Sequence, residues 1–306
     1  MAAETAVPVL VGPTASGKTE AVIALARASE GIEVVSADSR QIYRGMDIGT
    51  AKPTPEQRRL VPHHLLDVVK PDQTYSAGAF VSKAEKAVEE IRARGGIPVV
   101  VGGSALYVRA LLGGLDDLPE RREELRKALS DLQRRKTGVL RRFLQRLDPV
   151  RAGEIAENDT VRLTRSLEII LCSGYPASEQ MTGGVDRASD YVLVGIRIPR
   201  KTLRRRIERR TESMIEEGFL DEVNNLLKKG YDSDSILGRT IGYAECVEFL
   251  KDGVSLERTK ERISSRTWQY ARRQIGMFDR MPGISWWDGG SIHDLREMLF
   301  SRRAER

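Results

Sequence analysis

The segment VPVLVGPTASGKTEAVIALA, residues 7–26, carries the strongest structural signal in the chain. It begins with a run of branched apolar residues that is typical of a buried strand, and it ends with Val22, Leu25 and Ala26 at helical spacing. Between these parts lie the residues of a glycine-rich phosphate-binding loop, or P-loop: Gly12, Gly17, Lys18 and Thr19. A strand, this loop and a helix, in that order, predict a site where N–H groups at a helix N-terminus surround phosphate oxygens.

The whole loop belongs to the predicted site for a diphosphate group. Lys18 is expected to neutralise two phosphate groups, and Thr19 is expected to offer its hydroxyl to Mg²⁺. Thr14 and Ser16 can donate hydrogen bonds from their hydroxyls. The predicted binding residues are Gly12, Pro13, Thr14, Ala15, Ser16, Gly17, Lys18 and Thr19. The same motif occurs in ATP-binding proteins, so it does not identify the compound attached to the phosphates.

Three further apolar segments indicate strands of the same sheet. They cover residues 32–39, 97–103 and 191–200, and the amphipathic segment 79–96 separates the first two. Strands that are apolar throughout and alternate with helices are typical of a parallel sheet that is covered on both faces. The sequence therefore predicts an α/β fold with a P-loop NTPase-like parallel sheet covered by helices.

After Pro119 the sequence changes to leucines at helical spacing among many arginines, which indicates a basic helical insertion. A further helix is predicted from Asp159, as its N-cap, to Gly174. Residues 201–230 are typical of one long helix or two shorter ones, with Gly218 as the candidate break. The predicted division is a catalytic core with C-terminal helices, 1–117 and 188–306, interrupted by a helical insertion, 118–187.

Composition narrows the class of protein. The 306 residues are 40% apolar and 31% charged, and the net charge of +6 weakly favours a polyanionic partner. No segment approaches the roughly 20 apolar residues that span a bilayer, so we expect a cytoplasmic protein without membrane contact. Cys172 and Cys246 are predicted to be core residues, without disulfide or zinc. A monomer is expected, since no apolar helix face is left unexplained.

Asp38 lies at the carboxyl end of the second predicted strand, where ligands of an open parallel sheet collect. An isolated aspartate after a strand is more often a turn or N-cap residue. The later strand, in the segment IPVVVGGSALY, ends in glycines and Ser104. It lacks the acid with which a P-loop kinase usually assists Mg²⁺.

The surrounding motifs give Asp38 a second interpretation. In order they are SADSRQIYRGMDIGTAKP, PHHLLD, YSAGAF, VGGSALYVRALL, NDTVRLTRSLEI and IGYAE. Together they resemble the tRNA dimethylallyltransferase family, also called tRNA isopentenyltransferase, over most of the chain. The resemblance implies transfer of a dimethylallyl group from its diphosphate to N6 of the adenosine next to the anticodon, position 37, with Mg²⁺. It also implies that the P-loop holds the leaving diphosphate, and that the protein is of the prokaryotic type without a zinc finger.

The resemblance also implies roles for individual residues. Asp38 is expected to accept a hydrogen bond or proton from the adenine amine, and Arg210 is expected to lie near the diphosphate. The implied catalytic residues are Asp38, Lys18, Thr14 and Arg210. The implied contacts with the tRNA anticodon stem-loop are Asp38, Ser39, Arg40, Gln41, Ser104, Arg162, Arg165, Arg272, Arg273 and Gln274.

Other positions match the family less completely or carry no predicted chemistry. His63 and His64 match its paired histidines and are predicted to be structural, since no metal-ligand spacing surrounds them. The sequence departs from the family's usual residues at Val161, Ser104-Ala105 and Gly276-Met277. These departures weaken the predicted RNA contacts and leave the phosphate site unaffected.

Three alternatives stay open at the level of sequence. An adenylate isopentenyltransferase would prenylate free AMP, ADP or ATP, although the basic insertion argues against it. A P-loop kinase would transfer the γ-phosphate of ATP. An RNA-binding NTP sensor would bind tRNA and leave its mass unchanged. The acceptor and the fate of ATP distinguish these classes of protein.

Overall fold

The structure is a computed structural model that describes residues 6–113, 116, 118–183 and 187–300. The chain divides into two compact units, one of Met1–Leu112 with Arg187–Arg306 and one of Gly113–Asp186. The predicted insertion, 118–187, begins five residues later and ends one residue later than the second unit. Several residues at these boundaries, 114, 115, 117 and 184–186, lie outside the described part of the chain.

The first unit contains a six-stranded sheet in which every pairing is parallel. Its strands are β1 (Val7–Val11), β2 (Ile32–Ser36), β3 (His63–His64), β4 (Ile97–Gly102), β5 (Tyr191–Ile196) and β6 (Ser285–Trp287). Their order across the sheet is β3-β2-β4-β1-β5-β6. The predicted α/β class is confirmed. The strands at 32–39 and 191–200 are shorter than predicted, because the chain turns away at their carboxyl ends.

Fourteen α-helices lie in the described residues. They are α1 (Lys18–Ala28), α2 (Pro55–Leu60), α3 (Ala77–Ala93), α4 (Ala105–Gly113), α5 (Glu123–Arg135), α6 (Val139–Leu147), α7 (Pro149–Glu154), α8 (Thr160–Ser173), α9 (Ala177–Gln180), α10 (Arg200–Glu216), α11 (Phe219–Lys228), α12 (Tyr243–Asp252), α13 (Leu256–Phe278) and α14 (Ile292–Phe300). Residues 201–230 form two helices because Gly218, at φ 94°, breaks the backbone between α10 and α11. No helix in the described residues is long and apolar enough to cross a membrane.

Apolar side chains cover both faces of the sheet. On one face Val9 and Val11 join a cluster with Phe80 of α3 and Tyr107 of α4, whose rings stack at 4.3 Å between centroids. On the other face Leu10 joins a cluster with α1 and α14. Successive strand residues point to opposite faces, so a continuously apolar strand requires helices on both sides. This sandwich fixes the strand ends from which the site is built.

The second unit is helical, and it has its own apolar core of leucines and isoleucines from α5 to α8. Helix α8 begins and ends as predicted: the Asp159 side chain accepts a hydrogen bond from the Arg162 N–H at 3.1 Å, and Gly174 ends it at φ 81°. The prediction that Cys172 is a core residue is wrong, because Cys172 is only partly buried. The core face of α8 follows Leu163, Leu167 and Ile170, and Cys172 lies about 200° around the helix from Ile170. Cys246 is buried as predicted.

The paired histidines form the short strand β3 next to β2. His64 Nε2 bonds to Glu33 at 2.7 Å, and His63 Nδ1 bonds to the Val61 carbonyl at 2.6 Å. Burial lowers the pKa of His63, which favours its neutral form. Among the described residues, no group of three or more His, Cys, Asp or Glu side chains is arranged to hold a metal ion. Both histidines therefore form hydrogen bonds that stabilise the edge strand β3.

Candidate active site

A cavity of about 1820 Å³ lies in the first unit at the carboxyl ends of the strands. Four wall segments follow strands: the P-loop follows β1, residues 38–41 follow β2, Gly103 follows β4 and Arg197 follows β5. Helices α10 and α13 and the segments 47–55 and 239–242 contribute further wall residues. This is where an open parallel sheet collects its ligands. The cavity is large enough for a diphosphate ester together with a purine base.

The P-loop has the conformation that an anion site needs. Ala15 and Gly17 adopt left-handed backbone conformations, at φ 59° and 92°, and α1 begins directly afterwards at Lys18. Glycine adopts such a conformation freely, whereas Ala15 is strained in it. The Ser16 hydroxyl is buried without a hydrogen-bond partner among the described residues. A buried hydroxyl and the free N–H groups of a helix N-terminus fit a phosphate ligand.

Lys18 folds back onto its own loop. Its ammonium donates to the carbonyls of Gly12 and Pro13, each at 2.9 Å. Burial lowers the pKa of Lys18 to about 8, against the opposing effect of the Asp38 charge, and the Arg210 charge lowers it further. The ammonium is therefore poorly solvated at neutral pH. A diphosphate placed on the loop would give the Lys18 ammonium a negatively charged partner.

Two arginines of α10 contact the loop from the same helix face. Arg210 Nη1 donates to the Thr14 hydroxyl at 3.3 Å, and Arg206 Nη1 donates to the Ser16 carbonyl at 3.3 Å. The two arginines are four residues apart, which places them one above the other on a helix. The position predicted for Arg210 agrees with this geometry. Sequence analysis missed Arg206, although its spacing from Arg210 was a usable signal.

Asp38 both stabilises a turn and lines the cavity. Its Oδ1 accepts hydrogen bonds from the N–H groups of Arg40 at 2.8 Å and Gln41 at 3.4 Å, which is a turn-stabilising role. Among the described residues Oδ2 has no hydrogen-bond partner, and the carboxylate lines the cavity. Its charge raises the pKa of Lys18 and opposes the lowering of the pKa of Arg210. The turn therefore holds a carboxylate that is electrostatically coupled to the P-loop.

Four of the predicted RNA-binding side chains lie around Asp38. Ser39, Arg40, Gln41 and Arg273 all line the cavity. Gln41 is also a support for the cavity wall, since its Nε2 donates to the carbonyls of Thr50 at 3.3 Å and Ala51 at 3.1 Å. Arg40 and Arg273 add positive charge to the cavity wall near Tyr270 and Asp38. Positive charge lining a cavity favours an anionic ligand.

Two of the predicted RNA-binding residues, Ser104 and Gln274, are buried. Ser104 is buried, does not line the cavity, and donates its N–H to the Ala37 carbonyl at 3.1 Å. Gln274 is also buried, and it bonds to the P-loop and to Gly103. Ser104 does not line the cavity, whereas Gln274 lines it with its amide bonded to protein groups, and the RNA contact of both residues stays a prediction. The motifs place these residues near the site but do not say which way they face.

The remaining predicted RNA contacts are on the surface or in the second unit. Arg272 is exposed on α13 and does not line the cavity. In α8, Arg162 is exposed beside Asp159 at 3.4 Å, and its RNA contact stays a prediction. Arg165 bonds to the buried carboxylate of Glu168 at 2.7 Å and to the Pro119 carbonyl at 2.9 Å. Arg165 therefore already serves the packing of the second unit.

Tyr270 is a cavity residue that sequence analysis did not single out. It lies on α13 three residues before Arg273, so both side chains face the cavity. Burial raises the pKa of Tyr270 to about 12, the Asp38 charge adds to this shift, and Arg40 and Arg273 oppose it. Tyr270 is therefore protonated at neutral pH and can donate a hydrogen bond beside Asp38. The helical spacing of Tyr270 and Arg273 was the available signal.

A rigid loop, residues 47–53, forms the side of the cavity next to Gln41. The Glu222 carboxylate accepts hydrogen bonds from three consecutive N–H groups of this loop, at 2.8, 2.7 and 3.2 Å. The Tyr243 hydroxyl donates to the same carboxylate at 2.6 Å. Burial raises the pKa of Tyr243, and the Glu222 charge and this bond add to the shift. Within the loop, the buried Lys52 ammonium pairs with Asp47 at 2.7 Å and with Asp67 at 2.6 Å. These contacts hold Ala51 in a left-handed conformation, at φ 46°.

The residues present fit a magnesium ion of the P-loop type. Thr19 lines the cavity at the start of α1, where a P-loop offers one hydroxyl to the ion. Mg²⁺ is commonly held by one or two protein groups together with substrate phosphates and water.

Comparison with known proteins relates the whole chain to one group. The IPP transferase family model matches residues 41–281. The tRNA dimethylallyltransferase 1 of Pelobacter propionicus is 45% identical over 282 residues, which cover 91% of each chain. The tRNA dimethylallyltransferase 2 of Geotalea uraniireducens is 43% identical over 281 residues, 91% of this chain and 90% of that one.

Solved structures extend the comparison. The full-length tRNA isopentenylpyrophosphate transferase from Bacillus halodurans is 35% identical, with a TM-score of 0.67 over 97% of this chain and 95% of that chain. A eukaryotic dimethylallyltransferase acting on tRNA is 28% identical, with a TM-score of 0.79 over 96% of this chain and 76% of that chain. These matches confirm the resemblance drawn from the motifs, and the chain belongs to the IPP transferase family.

Proposed function

We propose that this protein is a tRNA dimethylallyltransferase. It transfers a dimethylallyl group from dimethylallyl diphosphate to N6 of the adenosine next to the anticodon, position 37, and it releases diphosphate. The observation that carries the proposal is that one cavity is lined both by Asp38 and by Lys18 and Arg210 at the P-loop. Such a pairing suits a reaction that removes an anionic leaving group at one point and activates an amine at another.

The P-loop half of the cavity serves the donor. The allylic carbon–oxygen bond breaks with its electron pair remaining on the diphosphate, so negative charge grows there. Lys18 moves from the Gly12 and Pro13 carbonyls to the phosphate oxygens, while Arg210 and the N–H groups of α1 remain in place. Groups arranged in advance around developing charge lower the barrier to reaction. Thr19 would hold Mg²⁺, which would supply further positive charge to the leaving diphosphate.

The Asp38 half of the cavity serves the acceptor. The free Oδ2 accepts a hydrogen bond from the exocyclic amine of adenine and orients the nitrogen lone pair toward the allylic carbon. As the nitrogen–carbon bond forms, the amine loses a proton, and Asp38 receives it. The Tyr270 hydroxyl can donate a hydrogen bond to a ring nitrogen of the base. An adenosine must leave its stack to reach this depth, as in other enzymes that modify bases.

Positive charge around the acceptor supports an RNA substrate. Arg40 and Arg273 line the cavity, and Arg272 is exposed on the same helix as Arg273. In the second unit, Arg162 presents an exposed guanidinium on α8. Such groups bind phosphates of a stem-loop or stack on its unpaired bases. We extend the proposal to a monomeric enzyme in the cytoplasm.

The acceptor separates this proposal from its alternatives. Unmodified tRNA, AMP and ATP are each incubated with the protein, Mg²⁺ and dimethylallyl diphosphate, and the nucleosides are then analysed by mass. We expect a dimethylallyl adduct on a tRNA adenosine, and its loss in Asp38→Ala. An adduct on the free nucleotide alone would identify an adenylate isopentenyltransferase. Rapid ATP turnover without an adduct would identify a kinase.

A further inference from the structure

Gln274 connects the P-loop to the end of β4 through a single buried amide. Its Oε1 accepts a hydrogen bond from the Thr14 N–H at 2.9 Å, and its Nε2 donates to the Gly103 carbonyl at 2.8 Å. The side chain is 3% exposed, so these bonds form out of contact with bulk water. We propose that Gln274 is a positioning residue, which holds the P-loop in the shape that receives diphosphate. This inference rests on the proposed function of the loop as a diphosphate site.

The strand end is built to admit this amide. A Cβ atom at Gly103 would lie 2.6 Å from Gln274 Nε2, closer than real contacts allow, and 3.7 Å from Lys18 Nζ. Only glycine leaves room for the amide between β4 and the P-loop. Strand β4 lacks the acid that a P-loop kinase usually carries, and it ends in a glycine that makes room for a side chain from another element. That side chain is Gln274 of α13.

The neutrality of Gln274 is the chemically informative point. A carboxylate at this place would lie beside a loop that binds a multiply charged anion, and it would repel that ligand in a site of low dielectric. A neutral amide accepts one hydrogen bond and donates another without adding charge. The position therefore calls for a group that is both donor and acceptor and that stays neutral at every working pH.

The backbone and the side chain of Thr14 form hydrogen bonds with residues of two different helices. Its N–H is bonded to Gln274, and its hydroxyl accepts from Arg210 at 3.3 Å. Thr14 is thus held from two helices, α13 and α10, while the N–H groups at the start of α1 remain for the ligand. Although Gln274 lines the cavity, both polar atoms of its amide are bonded to protein groups. Its effect on the reaction passes through the loop.

Gln274→Glu provides a test that a general loss of stability cannot imitate. The affinity for inorganic diphosphate with Mg²⁺ is measured by calorimetry between pH 8 and about pH 5.5, as a ratio to the wild-type protein at each pH. The ionised glutamate cannot donate to Gly103 and repels the ligand, so we expect binding weaker by about tenfold or more at pH 8. A buried carboxyl next to an anion has a raised pKa, and the protonated acid restores the donor. The ratio should therefore recover toward one as the pH falls.

Two further variants keep the test decisive. Gly103→Ala displaces the amide without adding charge, and we expect weaker diphosphate binding with no recovery at low pH. Ser264→Ala removes a 3.1 Å hydrogen bond between α13 and Thr211 of α10 and leaves the bonds of the Gln274 amide in place. It is the matched control, and we expect diphosphate affinity equal to that of the wild-type protein. In steady-state assays the Gln274 variant should raise the KM for dimethylallyl diphosphate more than the KM for tRNA.

The outcomes separate this inference from the proposed function. If the wild-type protein binds diphosphate and modifies tRNA while Gln274→Glu and Gly103→Ala bind diphosphate equally well, the positioning role is wrong and the proposed function stands. A ratio for Gln274→Glu that is low and independent of pH also overturns the role of the neutral amide. If the wild-type protein binds no diphosphate at all, the proposed function fails first.

Discussion

Diphosphate binding should weaken as the pH rises through about 8, because burial lowers the pKa of Lys18 to about 8 in the free protein. The bound diphosphate favours the charged ammonium, so binding above this pH requires uptake of a proton. If only the protonated lysine binds, the affinity falls by a factor of about 1.1 at pH 7 and about 11 at pH 9, relative to low pH. The change between the two pH values is thus about tenfold.

Calorimetry measures this directly with inorganic diphosphate and Mg²⁺. The ligand titrates as well, so Lys18→Met, which keeps the rest of the loop, supplies the reference at each pH. Buffers of different ionisation enthalpy should reveal uptake of about half a proton for each diphosphate bound at pH 8. The Asp38 charge raises the pKa of Lys18, so Asp38→Asn should move the midpoint to lower pH.

A constant ratio of wild-type to Lys18→Met affinity between pH 7 and pH 9 would refute this reasoning. It would mean that Lys18 stays fully charged in the free protein, or that the diphosphate does not contact it. The size of the constant ratio distinguishes these cases. A constant ratio well above one shows that the diphosphate contacts a lysine that stays charged, and a constant ratio near one removes Lys18 from the site.

Three further changes test other parts of the account. Asp38→Asn should lower the single-turnover rate of transfer by about 10²- to 10⁴-fold while diphosphate affinity at pH 7 changes only a few-fold; a rate close to wild type would exclude Asp38 as the base. Ala51→Gly should raise the free energy of unfolding in urea by about 0.5–1 kcal/mol, since it relieves a left-handed alanine at φ 46°; a decrease would show that the Ala51 methyl group matters more. Glu222→Gln should lower that free energy by about 1–3 kcal/mol, because the amide leaves N–H groups of the 47–53 loop poorly paired; thermal and urea melts equal to wild type would contradict this.

Local patterns predicted the parts of the site that neighbouring residues build. Gly12 to Thr19 specify a loop between a strand and a helix, and Asp38 follows the next strand. Parallel strands end at the same edge, so these signals also predicted that loop and carboxylate would meet. The break at Gly218 was visible as well, because glycine before a helix pattern is a local property.

The contacts that sequence analysis missed join distant parts of the chain. Gln274 bonds to Thr14 across 260 residues, and Glu222 caps a loop more than 170 residues away. No spacing rule connects such positions, since packing of α11 against the segment after β2, and of α13 against α10, brings them together. Ser104 shows a related limit. The motif predicted that it lies near the site, but it could not show that Ser104 does not line the cavity.

The central claim is that the P-loop holds the leaving diphosphate of a prenyl donor. The most direct measurement is a single-turnover reaction with excess protein, tRNA, Mg²⁺ and dimethylallyl diphosphate, in which adducts and released diphosphate are both counted and no ATP is present. We expect one diphosphate released for each dimethylallyl adenosine formed, with both reduced together in Lys18→Met. Diphosphate released without an adduct, or a requirement for ATP, would contradict it.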